Sequence, residues 1–407
     1  MEQTLPGKQN IALLIIVAAL GYFVDIYDLI LFSIVRVRSF EEIGIHENEM
    51  RKMGEYVLNM QMTGLLIGGI IWGITGDKFG RIKVLFGSIL MYSLANIANG
   101  FVTGIHDYAV IRLIAGIGLA GELGAGITLI SETMDKNKRG YGTMIVAGVG
   151  VLGALVAAVV AAHYSWRVSY FVGGGLGILL LLLRLGTFES KMFRDAAESE
   201  VKRGNFFMLF KSSGRFLKYL WCICIGLPIW FVVGIFVTLA PEFGKALHSQ
   251  EPLSAAKGIM FTYIGISAGD IFAGLLAQLI KSRKFTVLVF QVLILVSSVL
   301  YLGGTGMNVQ TFSWLCLFMG FAVGYWATFV TISAEQFGTN IRATVTTTAP
   351  NFVRGALIPS TLLFEFLASY FGIIKSGYIM IFLLTAIAVF ALSRLKESFG
   401  KDLDYTE

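Results

Sequence analysis

The sequence predicts an all-α membrane protein whose twelve transmembrane helices form two pseudo-symmetric six-helix bundles. Three observations predict it. Of the 407 residues, 56% are hydrophobic and only 14% are charged, where a soluble domain carries about 25% charged residues. The apolar residues gather into twelve runs close to the length needed to cross a bilayer. The second half of the chain also repeats features of the first. Mean hydropathy is +0.75, so lipid is the solvent for most of the chain, and a soluble multidomain enzyme is excluded.

Crossing about 30 Å of hydrocarbon takes about 20 helical residues. That window places spans at 11–35, 55–76, 84–102, 109–131, 142–162, 166–186, 216–240, 257–280, 285–303, 311–334, 347–372 and 376–394. The first run carries Asp25 and Asp28, follows no basic segment and precedes no cleavage site, so it is expected to be retained. An even number of spans puts both termini on one side. With the termini inside, 21 of the 32 Lys and Arg residues fall in inner segments and eight in outer loops. Arg112, Arg184 and Arg354 lie within spans. The bias predicts cytoplasmic termini in an inner (plasma) membrane. The net charge of +6 is therefore a topology signal and implies no nucleic-acid partner. Cys222, Cys224 and Cys316 sit inside apolar runs, which argues against a disulfide framework or a thiolate metal site.

The expected organisation is an N-terminal bundle over residues 1–186, a charged cytoplasmic linker over 187–215, and a C-terminal bundle over 216–407. An internal repeat supports the halving. After span 4, Glu132 and Arg139 stand seven residues apart. After span 10, Glu335 and Arg342 do the same at an offset of 203 residues. A weaker echo sets Gly274 and KSRK against Gly73 and DKFGRIK. Parallel halves with a site between them at mid-depth suit a transporter.

Two further stretches carry chemistry. GITGDKFGRIK, between spans 2 and 3, offers Gly73 and Gly80 for close backbone approach and Asp77 for a helix N-terminus or an Arg. An ordinary basic turn would read similarly. RLIAGIGLAGELGAG opens span 4 with a buried Arg112, costly unless it has a role, and with Gly116, Gly118 and Gly121 facing a neighbouring helix.

At these residues the chain resembles the major facilitator superfamily. Gly73, Asp77, Gly80 and Arg81 are similar to its loop 2–3 signature, and Arg112, Gly116, Gly118 and Gly121 to its span-4 signature. Glu132, Arg139, Glu335 and Arg342 resemble the paired cytoplasmic motifs of its sugar-porter and metabolite:proton symporter branches. VDIYDLILF and GELGAG resemble the latter branch. Ser131 and Ala334 stand where those motifs carry proline, Gln278 stands where the second loop signature carries Asp, and span 7 lacks the glutamine-rich hexose motif.

At 1.5 Å per residue, Asp28 lies about 10 Å and Arg112 about 5 Å below the outer surface, near enough to pair if spans 1 and 4 adjoin as the resemblance implies. The expectation is that Asp28 accepts a proton under the regulation of Arg112, with Asp25 on the same helix face and Glu122 deeper. The alternative is a permanent structural ion pair. Asp270 and Arg354 fall at a common level near Glu122, where the Arg354 fork suits a carboxylate. The alternative there is that Asp270 neutralises Arg354. Tyr27, Gln61, Trp230, Tyr325 and Trp326 complete the expected solute contacts. Gly73, Asp77, Gly80, Arg81, Glu132, Arg139, Glu335 and Arg342 are the expected gate.

The function expected is secondary active transport of a small polar organic solute by alternating access, as proton-coupled symport of an organic anion. Sugar or polyol uptake, multidrug/proton antiport and a non-transporting solute sensor are the alternatives. No phosphate-cradling loop, nucleophile–base set or metal-ligand spacing appears, so no enzyme activity, cofactor or metal is expected. The expected partners are the solute, protons and the bilayer, with the chain as a monomer.

Overall fold

In the computed structural model, the described residues are 8–46, 49–134, 138–184, 206–401 and 405. Among them the regular elements are all helical. Ten helical stretches are named here α1 (Ala12–Glu42), α2 (Tyr56–Phe79), α3 (Ile82–Asn99), α4 (Ile105–Ile130), α5 (Gly140–His163), α6 (Trp166–Leu183), α7 (Ser213–Val237), α8 (Ala255–Ile280), α9 (Arg283–Leu302) and α10 (Val309–Gln336). The last stretch, Arg342–Arg394, runs for 53 residues, about 80 Å if straight. Gly372 breaks it at φ 74°, ψ 162°, a left-handed conformation that favours glycine. It is two crossings, α11 (342–371) and α12 (373–394), which brings the total to the twelve expected. Residues 187–205 of the predicted linker lie outside the described residues, and a short 3₁₀ helix, Phe206–Phe210, leads into α7.

Most ends agree with the hydropathy windows within a few residues. Two differ, for one reason. α1 runs to Glu42 instead of 35 because its polar end is partnered. Arg38 Nη1 donates to the Ala161 carbonyl at 2.6 Å, and Glu42 accepts from Trp166 Nε1 at 2.6 Å. α11 starts at Arg342 instead of 347. Its first turns are polar, yet nearly every residue of Arg342–Gly355 is buried against protein. Hydropathy reads contact with lipid, and these first turns of the helix meet little of it.

The repeat is visible in the packing. α2 lies along α4 and α8 along α10, six helices on. A Cβ on Gly64 or Gly116 would strike the Leu113 or Gln61 carbonyl, and one on Gly265 or Gly320 would strike the Leu317 or Thr262 carbonyl. Small residues thus seat both crossings at backbone contact, which drives helix association in lipid. The halves meet along two seams, α2 with α11 and α5 with α8, also exchanged by the six-helix shift.

The face bearing the N-terminus of α1 is called here the terminal face, the opposite one the distal face. At the terminal face the seams are closed by hydrogen bonds. Asp77 accepts from the amides of Ala343 (3.1 Å) and Thr344 (2.8 Å) and from the Thr344 hydroxyl (2.6 Å). A carboxylate from one half thereby caps a helix of the other, where the macrodipole favours it. Nearer mid-depth Ser267 Oγ donates across the α5–α8 seam to the Gly148 carbonyl at 2.5 Å, and Thr331 Oγ1 bonds Thr143 Oγ1 at 3.3 Å. Toward the distal face the halves part around a cavity of about 120 Å³ whose walls include Phe32, Arg36, Asn59, Thr238, Ile259 and Thr361.

Candidate functional site

Several crossings are interrupted at mid-depth. α4 pauses at Ala120–Gly121, α7 is broken at Ile225–Gly226, and α10 stops at Gly324 before restarting at Trp326. Such breaks leave backbone groups that only protein or a cavity can satisfy inside a membrane. Asp270 answers one of them: its Oδ1 accepts from the Ala327 amide at 2.9 Å and caps the second half of α10. Its Oδ2 has no hydrogen-bond partner among the described residues.

The depth matching of Asp28 and Arg112 is correct. Arg112 Nη1 donates to Asp28 Oδ1 at 2.8 Å, both fully buried. Arg112 also donates through Nε to Gln61 Oε1 (3.3 Å), through Nη1 to Asn96 Oδ1 (3.4 Å) and through Nη2 to the Asp28 carbonyl (3.2 Å), and lies 5.7 Å from the Tyr170 ring centre. The guanidinium is thus enclosed within the first half. Asp25, one turn earlier on α1, is fully buried, and neither carboxylate oxygen has a hydrogen-bond partner among the described residues.

Glu122, expected among the proton-coupling acids at about the level of Arg354, has a partner within its own bundle. It is an ion-pair partner of Arg184, both 1% exposed, with Arg184 Nη1 on Glu122 Oε2 at 3.1 Å. Arg184 also donates to the Val17 carbonyl at 3.2 Å, tying α6 to α1. It was counted among the cations within spans and given no role. The rule that singled out Arg112, that a charge inside a span needs a reason, applies equally to it.

Arg354 and Asp270 are not paired; no ion pair joins them within 4.0 Å. Arg354 donates Nη1 to Asn351 Oδ1 at 3.1 Å, while Nε and Nη2 have no hydrogen-bond partner among the described residues. Its guanidinium carbon lies 5.5 Å from the Trp230 ring centre and 5.3 Å from that of Trp326, and the two indoles stand at 69° to one another. Trp326 Nε1 is buried without a partner among the described residues. Asn351 was not anticipated. Its amide reaches across the seam to the Ala120 carbonyl at 3.0 Å, so the residue that aims Arg354 also touches the break in α4. Two donors of a buried cation, without a partner among the described residues, have the chemistry to bind a carboxylate.

Three residues expected to touch solute have hydrogen-bond partners within their own bundle. Tyr27 donates to the Ser169 carbonyl at 2.8 Å within the first half. Gln61 donates to the Leu29 carbonyl at 3.1 Å while accepting from Arg112. Tyr325 donates to the Ile225 carbonyl at 2.7 Å and accepts from Gln291 at 2.8 Å, securing the break in α7. Each polar tip sits deep in its own bundle, and an unmade bond there is costly.

In the expected gate, Gly73 lies against Thr344, Asp77 makes the hydrogen bonds across the seam given above, and Gly80, at φ 106°, turns the chain between α2 and α3. The side chains of Arg81, Glu132 and Arg139 lie outside the described residues. Glu335 takes a bidentate bond from Arg283 (2.7 and 2.9 Å) and a third from Ser398. Arg342 Nε donates to the Ala334 and Phe337 carbonyls at 3.3 Å. Arg283 was read as a topology charge and as part of the KSRK echo, with no partner named. Beyond the membrane, Glu397 binds the Ser282 hydroxyl and the Arg283 and Lys284 amides at the start of α9. Burial alone would raise its carboxyl, but these hydrogen bonds and those from Phe399 and Ser398 outweigh it and hold it below the usual range.

Two interrupted bundles with a duplicated seam and a cation at mid-depth match a known profile: the one described as Major Facilitator Superfamily aligns with residues 11–358. The chain belongs to the major facilitator superfamily. A niacin transporter of Acinetobacter baylyi is 26% identical over 83% of this chain and 82% of its own. A cis,cis-muconate transport protein of the same organism is 25% identical over 92% and 91%. The solved proton:xylose symporter XylE superposes with a TM-score of 0.79 over 98% of each chain at 16% identity, a likeness of fold. This superfamily member is a multi-pass membrane protein that transports a small organic solute and is not an enzyme.

Proposed function

We propose that this chain takes up a small organic carboxylate together with a proton, by alternating access across a bacterial inner membrane with both termini cytoplasmic. The observation that carries it is Arg354: buried, free of any carboxylate within 4.0 Å among the described residues, with two open donors between Trp230 and Trp326. A bare guanidinium in a low-dielectric interior is costly unless an anion shares the site. The two indoles favour a flat, conjugated anion, and the similarity to niacin and muconate transporters supports the same chemistry. Asp270 Oδ2 and Trp326 Nε1 are available for a second polar group on the solute. The terminal face is latched and the distal cavity lies between the halves, so the form described is closed toward the cytoplasm in this reading. The bundles of residues 1–186 and 216–407 would rock about the α2–α11 and α5–α8 seams.

Counterflow in proteoliposomes tests this. Labelled nicotinate and benzoate should exchange and xylose should not, and Arg354→Gln should abolish the exchange. Exchange of xylose, or full nicotinate exchange by Arg354→Gln, would remove the carboxylate reading.

A further inference from the structure

We propose that the distal rim of the second half seats one phospholipid whose headgroup carries both a phosphate and a primary ammonium. Phosphatidylethanolamine has that chemistry. Nothing in this surface depends on what Arg354 binds.

A hollow of about 620 Å³ opens at this rim, between the segment that precedes α8 and the start of α10. Its walls include Glu251, Lys257, Phe261, Gln310, Ser313 and Trp314. Hydrogen bonds hold the rim in shape. The Gln250 amide donates to the Met307 carbonyl at 3.1 Å and the Gly306 amide to the Leu247 carbonyl at 2.8 Å, which ties the two loops together. Pro252 restrains the chain next to Glu251. Ser254 caps α8 at the Lys257 amide (3.4 Å), and Asn308 caps α10 at the Thr311 amide (2.8 Å). Glu251 and Lys257 are exposed, and neither joins an ion pair within 4.0 Å among the described residues. Opposite charges that share a hollow without pairing complement a zwitterion, with Lys257 for the phosphate and Glu251 for the ammonium.

Depth makes the zwitterion a lipid. Lys257 stands in the first turn of α8. Phe261 follows one turn later on the same face, about 6 Å deeper, and Trp314 lies about 8 Å below the start of α10. Trp314 is 61% exposed. Charges above and rings below follow the layering of a membrane interface, where an indole sits at headgroup level. Phe272 continues the face of Phe261 three turns further down, about 16 Å deeper. It is exposed, and its ring lies 5.5 Å from that of Phe321 on α10. One leaflet contributes about 15 Å of hydrocarbon. An acyl chain below a headgroup held at Lys257 therefore runs along α8 from Phe261 to Phe272. Gly265 lies between them at backbone contact with Leu317 of α10 and raises no side chain across that path.

Native mass spectrometry of the full chain in detergent tests this. The probes are dioleoyl phosphatidylethanolamine, phosphatidylglycerol and phosphatidylcholine, with glycerophosphoethanolamine as the headgroup without acyl chains. The first phosphatidylethanolamine should bind about tenfold more tightly than either other lipid, the effect of one charge-assisted hydrogen bond. Phosphatidylcholine offers Glu251 no N–H donor, and phosphatidylglycerol brings it only negative charge. Glu251→Gln should erase the preference over phosphatidylglycerol, and Lys257→Gln should weaken all three lipids about tenfold. Both side chains are exposed, so each variant should keep the melting temperature that the wild type has without lipid. Equal binding of the three lipids by the wild type would overturn the proposal, a result that no misfolded variant can obscure. An unchanged preference in Glu251→Gln/Lys257→Gln would do the same, leaving only annular lipid at this rim. Glycerophosphoethanolamine bound as tightly as the intact lipid would make the occupant a soluble zwitterion and would also overturn it.

Discussion

Replacing Asp77 by Asn tests the latch on the terminal face. The carboxylate accepts from two amides and a hydroxyl at 2.6–3.1 Å, all on the first turn of α11 and all from the other half of the molecule. Asparagine keeps one acceptor oxygen but loses the charge at the helix N-terminus and the second acceptor. One charge-assisted hydrogen bond plus the dipole interaction amounts to about 2 kcal/mol. At about 1.4 kcal/mol per decade, that shifts the closed-to-open equilibrium of this face about thirtyfold. Thr347→Cys reports it, because Thr347 is buried in the seam against Gly124, and the native Cys222, Cys224 and Cys316 are all buried. Alkylation of Thr347→Cys should accelerate by about that factor in the Asp77→Asn background, with an unchanged melting temperature. An unchanged alkylation rate would refute the assignment of Asp77 as the latch.

Three other outcomes follow from the same geometry. Gly124→Leu places a side chain where Thr347 sits, so the terminal face should fail to close, with Thr347→Cys alkylated rapidly even when Asp77 is intact. Glu335→Gln strips the bidentate partner from a buried Arg283, at a cost of about 3 kcal/mol. Thermal unfolding in detergent should show a lower midpoint that Arg283→Gln/Glu335→Gln partly restores. Glu397 has its carboxyl held below the ordinary value of 4.5. The folded form thus binds the proton less readily than the unfolded one, and the stabilisation is complete above that value and lost as the pH falls through the depressed one. The melting difference between wild type and Glu397→Gln should stay constant from neutral pH down to about pH 5 and close under stronger acid.

Charge and hydropathy made the crossings legible, because lipid imposes a length and a composition on any helix it touches. Where protein replaces lipid, as at the start of α11, that constraint vanishes and the helix end was misplaced. Depth arithmetic found Asp28 with Arg112, since two helices that cross together put equal depths at equal levels. By the same rule it put Glu122 at the level of Arg354 but could not find its partner Arg184, because level carries no information about azimuth. The sequence also marks Tyr27, Gln61 and Tyr325 as polar groups within spans, which is equally true of a solute contact and of a hydroxyl satisfying a broken helix. Only the three-dimensional packing separates the two. Asn351 and Arg283, one within a span and one in a basic turn, carry no sequence feature that announces a partner.

The most direct test is the pH of a weakly buffered medium around de-energised proteoliposomes when nicotinate is added. The account predicts alkalinisation outside, one proton disappearing per nicotinate taken up, and no change with Arg354→Gln. Nicotinate entry without any pH change, or alkalinisation that survives Arg354→Gln, would contradict it.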